Sequence, residues 1–153
     1  MKPALTLLSC LICIQLLACC NKSDDISSTP NDTLNTGSMK LKITVETNAF
    51  TATLYNNATT TAFKARLPLT INMKELNGNE KYFDLPNNLP ASASNPGTIQ
   101  TGDLMLYGSN TLVLFYKSFS TSYSYTRIAR VDNPAGLAAA LGSGNITVTF
   151  ESE

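Results

Sequence analysis

Few side chains in this 153-residue sequence can do covalent or acid–base chemistry, and their placement narrows what that chemistry is. The four cysteines, Cys10, Cys13, Cys19 and Cys20, all lie near the N-terminus, so no intrachain disulfide can close a loop beyond Cys20. Histidine is absent, which removes His-based general acid–base catalysis, Ser-His-Asp and Cys-His pairs, and most zinc sites. Arginine occurs only as Arg66, Arg127 and Arg130. Asp103, after Gly102, is placed to cap a turn or accept backbone bonds, but it lacks the second carboxylate that glycoside hydrolysis uses. Glu75 and Glu80 flank the turn signal Asn77-Gly78 and read as solvated. No acidic cluster has the spacing of a calcium loop, so the expected complement of metals and cofactors is none. Lys plus Arg equals Asp plus Glu at 11 each, and 14% of residues are charged, against about 25% for an average chain. A neutral chain without a basic run is not expected to bind nucleic acid, whose phosphates require Lys and Arg.

The cysteines make sense only with their surroundings. Lys2 opens the chain, and an apolar run follows over 4–18, interrupted by Thr6, Ser9 and Gln15. It is shorter than the ~20 residues of a transmembrane helix and fits the apolar region of a secretory signal. The run ends in Leu16-Leu17-Ala18-Cys19, which resembles the lipobox of bacterial lipoproteins. That resemblance implies a signal peptide over 1–18, cleavage before Cys19, and diacylglycerol on the Cys19 sulfur. Several acyl chains on one residue give a stable membrane anchor where a single chain would not. Leu7-Leu8-Ser9-Cys10 fits the same pattern with too short an apolar run, and cleavage before Cys20 would put Cys19 in the small-residue position. A plain secretory signal with incidental cysteines is the alternative.

Residues 19–38 carry the lipid site and a tether. From 21 to 38 Asn, Ser, Thr, Asp, Pro and Gly dominate, with Ile26 and Leu34 as the aliphatic residues. Such a stretch buries too little apolar surface to offset its ordering entropy. Ser23-Asp24-Asp25 resembles the acidic export signals that place some Bacteroidetes lipoproteins on the cell surface; ordinary tether polarity accounts for it equally well. The expected location is the bacterial cell envelope, as an outer-membrane lipoprotein held to the membrane by its lipid, facing the periplasm or the cell surface.

Residues 39–153 hold every Phe and Tyr and form the expected folded domain. Over 40–46, Leu41, Ile43 and Val45 alternate with Lys40, Lys42 and Thr44 as in a half-buried strand. Phe50, Ala52 and Leu54 repeat the pattern after a turn at Thr47-Asn48, making a hairpin. Residues 59–67 read as a short helix with Phe63 on its apolar face, closed by Pro68. Leu69, Ile71 and Met73 form a third strand, and 82–85 a fourth, stopped by Pro86. Residues 87–97 are a loop. Residues 102–117 read as a hairpin whose return strand, 111–116, is apolar on both faces. Tyr123, Tyr125, Arg127 and Ala129 share one strand face. Asp132-Asn133-Pro134 starts a second helix over 136–141, stopped by Gly142, and Ile146, Val148 and Phe150 mark the last strand. Many short strands with two short helices make a mainly β barrel or sandwich, and periodicity does not choose between them.

The order of these elements resembles the cyclophilins. Leu54-Tyr55, Asn57 and the helix around Phe63 resemble the strand and first helix of that family. The hairpin from Gly102-Asp103-Leu104 to Leu114-Phe115-Tyr116 matches the one that ends in Gln-Phe-Phe in catalytic members. Ile128-Ala129-Arg130-Val131, then Gly136-Leu137-Ala138-Ala139-Ala140-Leu141, then Ile146-Thr147-Val148 match the closing strand, helix and strand. More closely, the domain resembles compact bacterial cyclophilin-like proteins, which implies a closed β-barrel. Catalytic cyclophilins twist an X-Pro peptide with an Arg donor at the prolyl nitrogen, helped by a Gln and a His. Here the matched positions carry Asp84, Leu114 and Tyr125, which cannot do the same work.

These readings converge on a non-enzymatic domain that binds a peptide or small ligand. The candidate groove residues are Phe115, Tyr116, Tyr123, Tyr125 and Arg127. Core packing is the competing role for Phe115 and Tyr116, and cross-strand packing for the tyrosine–arginine face. A weak prolyl isomerase that uses Arg127, or a carbohydrate-binding module built on Tyr123 and Tyr125, are the alternatives.

Overall fold

The structure, a computed structural model, describes residues 39–153. The signal-peptide, lipidation and tether expectations fall on 1–38, outside the described residues. Strands β1 (Lys40–Val45), β2 (Asn48–Leu54), β3 (Leu69–Leu76), β4 (Glu80–Asp84), β6 (Asp103–Tyr107), β7 (Thr111–Phe115), β9 (Thr126–Val131) and β10 (Ile146–Ser152) close an eight-stranded antiparallel barrel. Its order is β1-β10-β3-β4-β7-β6-β9-β2. The two-residue strands β5 (Thr98–Ile99) and β8 (Phe119–Ser120) pair with each other outside it. Closure leaves the eight barrel strands without an edge, and the alternation along each strand sends Leu41, Ile43, Val45, Met73, Val148 and Phe150 into one core.

Helix α1 (Ala58–Lys64) follows the end of β2 and lies over one mouth of the barrel. Its Phe63 meets Phe150 edge to face, with ring centroids 5.9 Å apart. The helix is shorter than the expected 59–67. It starts one residue earlier, where the Asn57 side chain accepts from the Thr60 amide at 2.8 Å, and it gives way to a turn before Pro68, which disfavours helix at the preceding residue. Helix α2 (Leu137–Leu141) follows β9 and brings Leu137 and Leu141 into the core at the other mouth.

A second apolar cluster lies outside the barrel. Met105, Val113 and Phe115 point outward from β6 and β7, and Ile99, Phe119 and Tyr125 cover them. This is why β7 is apolar on both faces, as expected from its sequence. The loop before β9 is held on this side by reciprocal backbone bonds between Ser94 and Tyr125, each 3.0 Å.

One expected strand face is corrected. Strand β9 begins at Thr126, so Tyr123 lies in the preceding loop. Within β9, Arg127 pairs with Met105 but Ala129 pairs with Leu104, a register shift that inserts Ile128. The bulge turns Ala129 into the barrel while Arg127 stays outside, so the two do not share a face.

Candidate functional site

Alternation along β4 divides its side chains between two environments. Glu80, Tyr82 and Asp84 face outward; Lys81 and Phe83 face the barrel interior. Cross-strand neighbours extend the outer row: Phe115 opposite Glu80, Val113 opposite Tyr82, Thr111 opposite Asp84. Tyr107, opposite Thr111, ends the same face on β6. Strand β8 and the loop between it and β9 then raise a wall of Phe119, Tyr123 and Tyr125. The result is an open cleft of about 410 Å³, lined chiefly by Tyr82, Tyr107, Tyr123, Tyr125, Val113 and Phe119, with Asn79, Glu80 and Asp84 as polar lining.

The aromatic wall is ordered by ring contacts. Tyr125 packs edge to face on buried Phe115 at 5.5 Å, Tyr107 tilts against Tyr125 at 5.6 Å, and Tyr123 stands perpendicular to Tyr107 at 6.1 Å. Tyr125 is buried, whereas Tyr123 remains 61% exposed at the rim. Burial, and secondarily the charge of Glu80, raises the Tyr125 phenol above its ordinary range.

Glu80 departs from the solvated side chain expected of it. It is 9% exposed, and among the described residues no donor or cation pairs with its carboxylate. Desolvation, and then the negative charge of Glu75, raises its carboxyl above the usual range. Beside it, the Asn79 Oδ1 is buried without a partner. Asp84 differs: it accepts from the Thr111 hydroxyl at 2.7 Å. Lys74 Nζ sits 5.7 Å over the Tyr82 ring, at the edge of the cleft.

Behind this strand lies a separate polar knot. Glu75, also expected in solvent, is paired with Lys81 and accepts from the Tyr116 hydroxyl at 2.7 Å. Burial alone would raise the Glu75 carboxyl, but the bonds from Lys81 and Tyr116 outweigh it and leave it lowered. The same burial and contact with Glu75 push the Tyr116 phenol up to about 12.

The candidate residues are therefore divided. Tyr123 and Tyr125 line the cleft. Phe115 lies beneath Tyr125 in the outer cluster. Tyr116 turns to the opposite side of the sheet, packs with the barrel core and bonds Glu75. Arg127 lines a different concavity together with Arg130, with its guanidinium 5.7 Å over the Tyr55 ring. Arg130 is held there by Asp103 at 2.7 Å. Asp103 also accepts from the Gln100 amide at 2.8 Å, the backbone-capping role its sequence context suggested. Sequence reasoning missed Tyr82, Tyr107 and Glu80 as lining residues. The available signal was the doubly apolar hairpin, whose outer face must be covered by something. Among the described residues no cluster of acidic side chains can hold a metal ion.

The cyclophilin-like family model matches residues 43–151. The chain belongs to the cyclophilin-like family. No curated protein and no solved structure matches it. In this cyclophilin-like barrel, Leu114, at the position matched to the catalytic Gln, is buried inside the barrel, and Asp84, at the position matched to the Arg, lies on the cleft. Tyr125, at the position matched to the His, forms part of the cleft wall.

Proposed function

We propose that this chain is a lipid-anchored envelope protein whose cyclophilin-like domain binds a peptide or small ligand in the outer cleft without catalysing prolyl isomerisation. The observation that carries the reading is the lining of the cleft, which is aromatic and carboxylate-bearing and contains no arginine among the described residues. Prolyl isomerisation needs a donor at the prolyl nitrogen, where a lone pair develops as the amide twists, and that donor must favour the twisted state over the planar one. Asp84 and Glu80 supply carboxylates instead, and Arg127 lines another concavity. Tyr107 and Tyr123 stand at 89° to each other, which favours enclosing a compact group over stacking a flat sugar ring on a shared platform. The anchor rests on the sequence around Cys19.

The test is an NMR exchange assay on a Pro-containing peptide, with Arg127→Ala as the control. No acceleration over the uncatalysed rate is expected. Acceleration that disappears in Arg127→Ala would replace this reading with an isomerase using a relocated arginine. Labelling cells with a fatty-acid analogue checks the anchor: incorporation is expected in the native chain and absent in Cys19→Ser.

A further inference from the structure

Among the described residues, the Glu80 residue is 9% exposed, its carboxylate has neither cation nor hydrogen-bond donor, and it lines a cleft walled by aromatic rings. A carboxylate that has lost most of its water, and keeps only what the cleft mouth admits, is better stabilised when a cation pairs with it. The charges around it do not do so. Asp84, on the same face, has the same sign and is bonded to Thr111. Glu75 and Lys81 project to the other side of the sheet and are committed to each other. Lys74 lies over Tyr82 at the rim and forms no ion pair with Glu80. Lys117 lies over Tyr116 on the opposite side. Asn79 adds a second unpartnered acceptor to the lining.

An anion would meet two carboxylates here, and a neutral apolar ligand would bury Glu80 and Asn79 unsatisfied. A cation satisfies both, and the negative faces of tyrosine rings attract it further. We propose that the cleft takes an organic ammonium group, with the Glu80 carboxylate as its counter-ion and the tyrosines as its walls. This rests on the reading of the cleft as a ligand site and names the chemistry of that ligand. The ammonium can belong to a free small amine or to a lysine side chain of a peptide. The raised carboxyl of Glu80 agrees with an acid awaiting a partner, since a bound cation would lower it.

The experiment titrates the full chain with choline chloride and with its neutral isostere 3,3-dimethylbutan-1-ol, following the tyrosine ring resonances by NMR. Choline is expected to bind at least tenfold more tightly. In Glu80→Gln, checked for unchanged circular dichroism, the preference is expected to fall to near unity, and Tyr123→Leu, at the exposed rim, should weaken choline severalfold. Equal binding of the two isosteres overturns the charge assignment and leaves the cleft as a ligand site. A preference for choline that persists in Glu80→Gln overturns Glu80 as the counter-ion. No shift with either probe also overturns the proposal, and uncharged peptides then decide the cleft reading separately. The blocked tripeptide acetyl-Gly-Lys-Gly-amide, whose one ammonium is the lysine's, distinguishes the sources: tighter binding than choline assigns a lysine side chain, weaker binding a free small amine.

Discussion

Lys81 and Glu75 are direct cross-strand partners on β4 and β3, and their side chains form an ion pair at the mouth of the barrel that α2 covers. Lys81 is fully buried there, and its ammonium also donates to the carbonyls of Gly142 at 2.8 Å and Gly144 at 2.7 Å. One side chain thus ties three segments together: β3, β4 and the chain between α2 and β10. A buried ammonium is tolerated because all three of its protons meet acceptors.

Lys81→Met keeps the length of the side chain and removes the charge. Glu75 then loses its cation, and the Gly142 and Gly144 carbonyls lose their donor. Breaking a buried pair from one side costs about 3–5 kcal/mol, and that loss is expected in urea unfolding. Adding Glu75→Gln should recover part of it, because the stranded charge disappears. A loss below about 1 kcal/mol in the single variant would mean that water replaces the ammonium.

Asn57→Ala tests how α1 is held. The Asn57 Oδ1 accepts from the Thr60 amide, and its Nδ2 donates to the Arg127 carbonyl at 2.8 Å. The first bond starts the helix and the second fixes it to β9. Losing an N-cap costs about 1 kcal/mol, and leaving a carbonyl unpaired adds about as much. The expected sum of about 2 kcal/mol is measured by chemical denaturation. Asn57→Ser should be milder, because its hydroxyl can still cap the helix and only the bond to the Arg127 carbonyl is lost.

The strands and their buried faces could be read from alternation, while their closure into a barrel rests on the resemblance of the element order to cyclophilins. Leu41, Ile43 and Val45 announce their orientation, as do Leu69, Ile71 and Met73. The cleft was only half visible. Tyr123 and Tyr125 stand out by composition, but Tyr82 and Glu80 gain their meaning from a loop some forty residues away that folds over β4 and β7. Glu75, Glu80 and Lys81 flank a turn signal, where charge ordinarily means solvent. Lys81 is buried against the chain that follows α2 and Glu80 against the aromatic wall, and no local pattern reports either. The bulge at Ile128 is likewise set by pairing with β6, so simple alternation misplaced Ala129 relative to Arg127.

Gly102→Ala addresses a close approach at the start of β6. Gly102 has φ +92°, and an added Cβ would lie 2.9 Å from the Cβ of Val131. Its backbone cannot easily move away, because its amide donates to Phe115 and its carbonyl accepts from Val131. The strained conformation alone costs about 1–3 kcal/mol for a residue with a side chain. Gly78 has a similar positive φ but open space around it. Gly102→Ala is therefore expected to lower the melting temperature more than Gly78→Ala, and equal losses would show that the contact with Val131 relaxes.

Glu80→Gln should stabilise the fold at neutral pH, by an amount that depends on pH. The folded state raises the Glu80 carboxyl through burial and the charge of Glu75, so folding favours its protonated form. The stability it contributes is complete below the unfolded carboxyl value, near ~4.3, and is lost as pH rises through the higher folded value. Gln resembles the protonated acid and has no such loss. The difference in unfolding free energy between Glu80→Gln and the native chain should be smallest near pH 4, grow as pH rises, and level off once Glu80 is ionised in both states. Taking the difference matters, because Glu75 and Asp132 are lowered and contribute the opposite slope, losing stability as pH falls. Asp132 contributes little of it, since its pair with Lys40 is exposed and screened. Chemical denaturation from pH 4 to 8 measures the curve. A difference that stays flat with pH would mean that Glu80 is solvated in the folded protein. Saturating choline should shrink the gap at pH 7, because a cation beside Glu80 stabilises its ionised form in the native chain alone.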